Sequence, residues 1–120
     1  MITTEKNITI TRGDSFGFNF KVEDDEGTAV TLDACYFSCK ENPDDENYVF
    51  QKNLSQGITQ LSSGEYYVKI DPANTKDLSQ FPYYYDLQCT IGDDIYTFLK
   101  GKLEIKWDVT KERRPDLLEK

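Results

Sequence analysis

Histidine is missing from all 120 residues of this chain, and cysteine occurs only three times. Without imidazole there is no Ser-His-Asp triad, no Cys-His pair and no histidine metal ligand, which removes most familiar hydrolytic mechanisms. Cys35, Cys39 and Cys89 are an odd count for a disulfide framework and too few, without histidine, for a four-ligand zinc site. Positive charge is also short: 14 Lys and Arg stand against 22 Asp and Glu, a formal charge of -8 that repels a phosphate backbone. Nucleic acid is therefore not an expected partner. No run approaches the roughly 18 apolar residues of a membrane span, and Met1 to Lys6 lacks the basic start and apolar stretch of a secretory signal. Neither a membrane contact nor export is expected, and synthesis belongs in the cytoplasm.

What remains is ordinary globular material, 38% hydrophobic and 30% charged, in a length that suits one domain. Alternation with period two is its strongest pattern. Phe16, Phe18, Phe20 and Val22 face one way while Ser15, Gly17, Asn19 and Lys21 face the other. Cys35, Phe37 and Cys39 share a face, as do Tyr66, Val68 and Ile70, and again Tyr83, Tyr85, Leu87, Cys89 and Ile91. Tyr48 to Lys52 offers a short strand suited to a sheet edge. Gly92-Asp93-Asp94 supplies a hairpin turn into Ile95 to Leu99, and Leu103, Ile105 and Trp107 continue the apolar phase. Gly101 inside that run marks a bulge or a close backbone approach. Ala73 to Leu78 has room for one helical turn, at a crossing between sheets. About seven short strands give an all-β fold, with a sandwich favoured over a barrel. The expected core includes Phe16, Phe18, Phe20, Phe37, Tyr66, Val68, Ile70, Tyr85, Leu87 and Leu103. The sandwich should occupy residues 1–110, followed by a charged tail over 111–120.

Few residues invite a chemical reading. Arg12-Gly13-Asp14 spells an adhesion tripeptide, but it falls where two alternating runs meet and reads as a turn. Asp24-Asp25-Glu26, Asp44-Asp45-Glu46 and Asp93-Asp94 lack the alternating loop that places calcium ligands, so a site would need two turns to converge. Solvated turns are the simpler reading, and no metal or cofactor is expected. Two carboxylates across a cleft, as a glycosidase needs, are not indicated either, so the chain is expected not to be an enzyme. The cysteines read as buried free thiols. Cys35 and Cys39 would lie ~13 Å apart in one strand, and a Cys89 bridge to one of them across two sheets is the alternative.

Tyrosine is the unusual item, with 8 in the chain. Alternation through Tyr83-Tyr84-Tyr85 forces Tyr84 onto the face opposite its neighbours. Tyr84, Tyr67 and Trp107 are candidates for an aromatic surface that stacks on sugar or buries into a protein, and cross-strand packing is the alternative. Tyr67 and Tyr84 are the candidate partner-binding residues.

Several loose motifs occur in a fixed order: Ile8-Thr9-Ile10-Thr11-Arg12-Gly13-Asp14-Ser15-Phe16, then Ser63-Gly64-Glu65-Tyr66-Tyr67-Val68-Lys69-Ile70-Asp71-Pro72 with Thr75 after it. Tyr83-Tyr84-Tyr85-Asp86-Leu87, Gly92-Asp93, Tyr96 to Leu103 and Asp108-Val109-Thr110 follow. Over about residues 7–110 this set resembles small phage and prophage structural proteins with immunoglobulin-like sandwiches, which accompany tail or baseplate genes. The segment from Asn42 to Gly57 and the last ten residues lie outside the resemblance. It implies an immunoglobulin-like antiparallel β-sandwich of about seven strands and a virion or assembly role without catalytic residues. The expected partners are other phage tail or baseplate proteins, or further copies of the chain. A small-molecule ligand is not expected; a carbohydrate-binding sandwich is the alternative function.

Overall fold

In the computed structural model, residues 3–79 and 82–109 are described. The chain forms two facing sheets, and the alternating runs become the strands that build them. The strands are β1 (Thr4–Glu5), β2 (Ile8–Thr11), β3 (Phe16–Lys21), β4 (Ala34–Lys40), β5 (Phe50–Asn53), β6 (Ile58–Ser62), β7 (Glu65–Ile70), β8 (Pro82–Ile91) and β9 (Asp94–Lys106). One helical turn, α1 (Pro72–Thr75), stands at the expected crossing. The larger sheet runs β1-β9-β8-β4-β5, with β2 also on β9, and the smaller runs β3-β7-β6. In immunoglobulin terms β3, β7 and β6 are strands B, E and D, while β5, β4, β8 and β9 are C′, C, F and G. The fold is an immunoglobulin-like sandwich. β1 and β2 add to it by pairing in parallel with β9, in the registers Thr4 to Leu99 and Ile8 to Leu103.

Rings fill the space between the sheets. Phe37, fully buried at the centre, stacks on Tyr85 with centroids 5.2 Å apart and lies 5.9 Å from Phe18 of the opposite sheet. Phe20 stacks on Tyr66 at 5.4 Å, and the Tyr66 hydroxyl accepts a hydrogen bond from the Leu32 amide at 2.8 Å. Tyr83, at the start of strand F, accepts from the Ser79 amide at 3.2 Å and donates to the Ser79 carbonyl at 3.4 Å. That is the tyrosine corner of immunoglobulin folds. Two residues later, where antibody domains place a disulfide cysteine, Tyr85 contributes a stacked ring instead.

The expected core is buried except for two residues. Phe16 and Phe18 are only half-buried, because β3 is an edge strand of the three-stranded sheet and one flank of their rings has no neighbouring strand. Gly101 is the site of a close approach: a Cβ there would press into the Lys6 carbonyl, where the chain passes from β1 to β2. The bulge lies elsewhere, at Phe98, where the β8–β9 register slips between Leu87 and Gln88. The extra residue turns the Phe98 ring edge-on to Phe20 at 5.9 Å. Trp107 ends the alternation and is exposed just past β9. The charged tail expected over 111–120 lies outside the described residues.

Candidate functional site

The inward phase of the larger sheet is spent on the core, which leaves the outward phase of β4, β8 and β9 as a second surface. On β8 it presents Tyr84, Asp86 and Gln88; on β4, Tyr36, Ser38 and Lys40; on β9, Lys100 and Lys102. Register sets these side chains in rows. Tyr84 stands opposite Lys40 on one side and Lys102 on the other, and Asp86 stands opposite Ser38 and Lys100. Gln88 is opposite Tyr36. With Tyr48 and Gln51 from the β5 side and Glu5 from β1 at the rim, they enclose an open groove of about 830 Å³.

The groove joins exposed rings to cations. Tyr36 and Tyr48 are 40% and 49% exposed, and Tyr84 is half-buried between Lys40 and Lys102. The Lys40 ammonium lies 5.2 Å from the centre of the Tyr48 ring, a cation–π distance. Gln51 Nε2 donates to Ser38 Oγ at 2.9 Å, and Lys100 Nζ is 3.8 Å from Glu5 Oε1. Asp86 sits at the middle. Burial pushes its carboxyl above the usual range, and the nearby Lys40 charge partly opposes this. In a chain of net charge -8, this face gathers Lys40, Lys100 and Lys102 around rings and amides. Such a surface can bury aromatic anchors and offer charge-assisted hydrogen bonds.

The two candidate tyrosines are not brought together. Tyr84 is part of the groove, whereas Tyr67 lies on the outer face of the opposite sheet. There its ring covers the backbone of Gly17, and any side chain at Gly17 would collide with the Tyr67 hydroxyl end. Tyr67 thus has a partner within the fold. Tyr36, Tyr48, Lys40 and Asp86 escaped the sequence reading, although one signal was available: if Cys35, Phe37 and Cys39 point inward, Tyr36, Ser38 and Lys40 must point outward.

The remaining motifs are structural. Arg12 Nε donates to Asp108 Oδ1 at 2.9 Å and Nη1 to the Leu78 carbonyl at 3.2 Å, while the Gly13 amide donates to buried Thr75 Oγ1 at 2.8 Å. The tripeptide therefore pins the crossing from β2 to β3, with Gly13 at φ +81°. Asp24 Oδ1 accepts from the Glu26 and Thr28 amides at 2.9 Å each, Asp45 Oδ2 from Asn42 at 3.0 Å, and Asp33 Oδ2 from Gly92 at 2.6 Å. Asp24 and Asp45 tie their own turns, and Asp33 holds the β8–β9 turn from outside it. Among the described residues no three thiols or carboxylates converge as a metal site. All three cysteines are free and buried. Cys89 meets Cys35 within one sheet, on the neighbouring strand, and not across the sandwich.

No protein-family model matches the chain, and no curated protein matches it significantly.

Proposed function

We propose that this chain is a non-catalytic docking module of a phage or prophage virion, a tail or baseplate accessory protein made in the bacterial host cytoplasm. It works by laying the open face of its larger sheet on another virion protein or on a copy of itself. The observation that carries the reading is the groove itself: Tyr84 stands between Lys40 and Lys102 on strands whose other phase is already committed to the core, and Tyr36 and Tyr48 line the same groove. The resemblance of the ordered strand motifs to small phage structural sandwiches supports the virion setting. Tyr67, beneath which Gly17 is packed, is no longer needed as an anchor on this reading.

The test is co-purification with the products of neighbouring genes, repeated with Tyr84→Ser. Removing an aromatic anchor at an interface typically costs ~2 kcal/mol or more, which is roughly a 30-fold loss of affinity. Tyr84→Ser should therefore weaken the complex by about that factor, and Tyr67→Ser should leave it unchanged. Undiminished binding by Tyr84→Ser would remove the groove from the interface. Binding of a polysaccharide and of no protein would replace docking by carbohydrate recognition, which the same rings and amides could serve.

A further inference from the structure

Cys35 and Cys89 stand directly opposite each other on the neighbouring strands β4 and β8, with their sulfurs 3.5 Å apart and both side chains buried. Facing residues on antiparallel strands have Cα atoms roughly 4.5 to 5.5 Å apart, inside the range that a disulfide spans. Bonding therefore asks for rotation of two side chains and closure of the sulfurs to about 2.05 Å, with no displacement of either strand. Cys39 has no such option. It lies four residues further along β4, opposite Tyr85 and ~13 Å from Cys35 along an extended strand.

The geometry points to a modification site: Cys35 and Cys89 form a dithiol that peroxide-class oxidants convert to an intrasheet disulfide, tying β4 to β8. This holds whether or not the groove is the docking face. The two sulfurs share one hydrogen bond in which either can donate, so the thiol that donates steadies the thiolate of the other. Whichever ionises attacks one peroxide oxygen, an S–O bond forms as the O–O bond breaks, and the departing hydroxide is protonated to water. The second sulfur then attacks the sulfenic sulfur. The S–S bond forms, the S–O bond breaks, and the leaving hydroxyl departs as water with the proton of the second thiol. Overall two thiols lose two hydrogens and two electrons, and one peroxide becomes two waters. Access for so small an oxidant needs only opening at the hairpin end, because Cys89 pairs with Tyr96 three rungs from the Gly92–Asp93 turn.

The test exposes the native chain to hydrogen peroxide, denatures it in an alkylating agent and weighs it. The expected product carries one alkyl group where the untreated chain carries three, and is two hydrogens lighter than a singly alkylated chain; dithiothreitol restores those two hydrogens and frees two thiols. Chymotrypsin cleaves after Tyr36 and Phe37, so the digest separates Cys35 from Cys39 and should place the link between Cys35 and Cys89. Cys39→Ser should cross-link as the unaltered chain does. In Cys35→Ser, Cys89 should be trapped as a sulfenic acid by dimedone; should that variant fail to fold, the digest of the unaltered chain still decides. Three alkylatable thiols after peroxide, a link to Cys39, or sulfinic acid at Cys89 without a link would each overturn the proposal.

Discussion

Phe37 is the residue on which the two layers depend most directly. Its ring is fully buried and meets Phe18, Phe50 and Tyr85. Phe37→Ala should lower stability by about 3 to 5 kcal/mol through lost burial and the cavity left behind, read as a fall in the urea midpoint with unchanged slope. Asp86 is a residue of another kind, charged and part of the groove. Its folded-state affinity for a proton is raised, so the native state binds protons that the unfolded state releases, and this contribution is present below the unfolded Asp value and lost as pH rises through the folded one. The Asn variant lacks the titration. Any stability advantage of Asp86→Asn at neutral pH should therefore shrink as pH falls toward about 4 and below. Melting curves of both proteins across that range check the sign; a gap that widens in acid would contradict the assignment.

At the scale of elements, the glycine that admits the first strand is the most sensitive point. Gly101→Ala pushes a methyl group into the Lys6 carbonyl, against backbone that is itself bonded to Lys100. The expected cost is about 1 to 3 kcal/mol, with faster hydrogen exchange at Lys6 and Lys102, whose amides bond across this junction. Protection unchanged at those amides would mean that the approach is relieved elsewhere. How much of the fold was legible follows burial. β3, β4, β7 and β8 alternate because one face of each meets the opposite sheet, and their phase could be read residue by residue. β6 could not: only Ile58 is buried, and Thr59 to Ser62 lie exposed at a sheet edge, so no period survives in the sequence. Of the two readings of Gly101, the close approach holds, and the bulge falls at Phe98 instead. The groove was half legible. Alternation fixed the phase of Tyr84, but its neighbours depend on the registers of three further strands, which nothing local in the chain encodes.

Across the whole molecule, the order of strands carries its own physical meaning. β2 is bonded to β9 across nearly the full described sequence, in parallel, from Ile8 beside Leu103 to Thr11 beside Lys106. β1 extends that seam to Thr4 beside Leu99. A pull upstream of Thr4 and downstream of Lys106 drives the two partners in opposite directions along their length. Tension then falls on all the slanted bonds of the seam together, and rupture has to shear them as a group. A pull across Pro82 and Lys106, at one end of the β8–β9 hairpin, parts its bonds one at a time. Single-molecule stretching should record a distinctly higher breaking force for the first geometry than for the second, with Gly101→Ala lowering only the first. That outcome would make the chain a mechanical clamp, a fastening that resists hauling from its two ends far better than peeling at one corner.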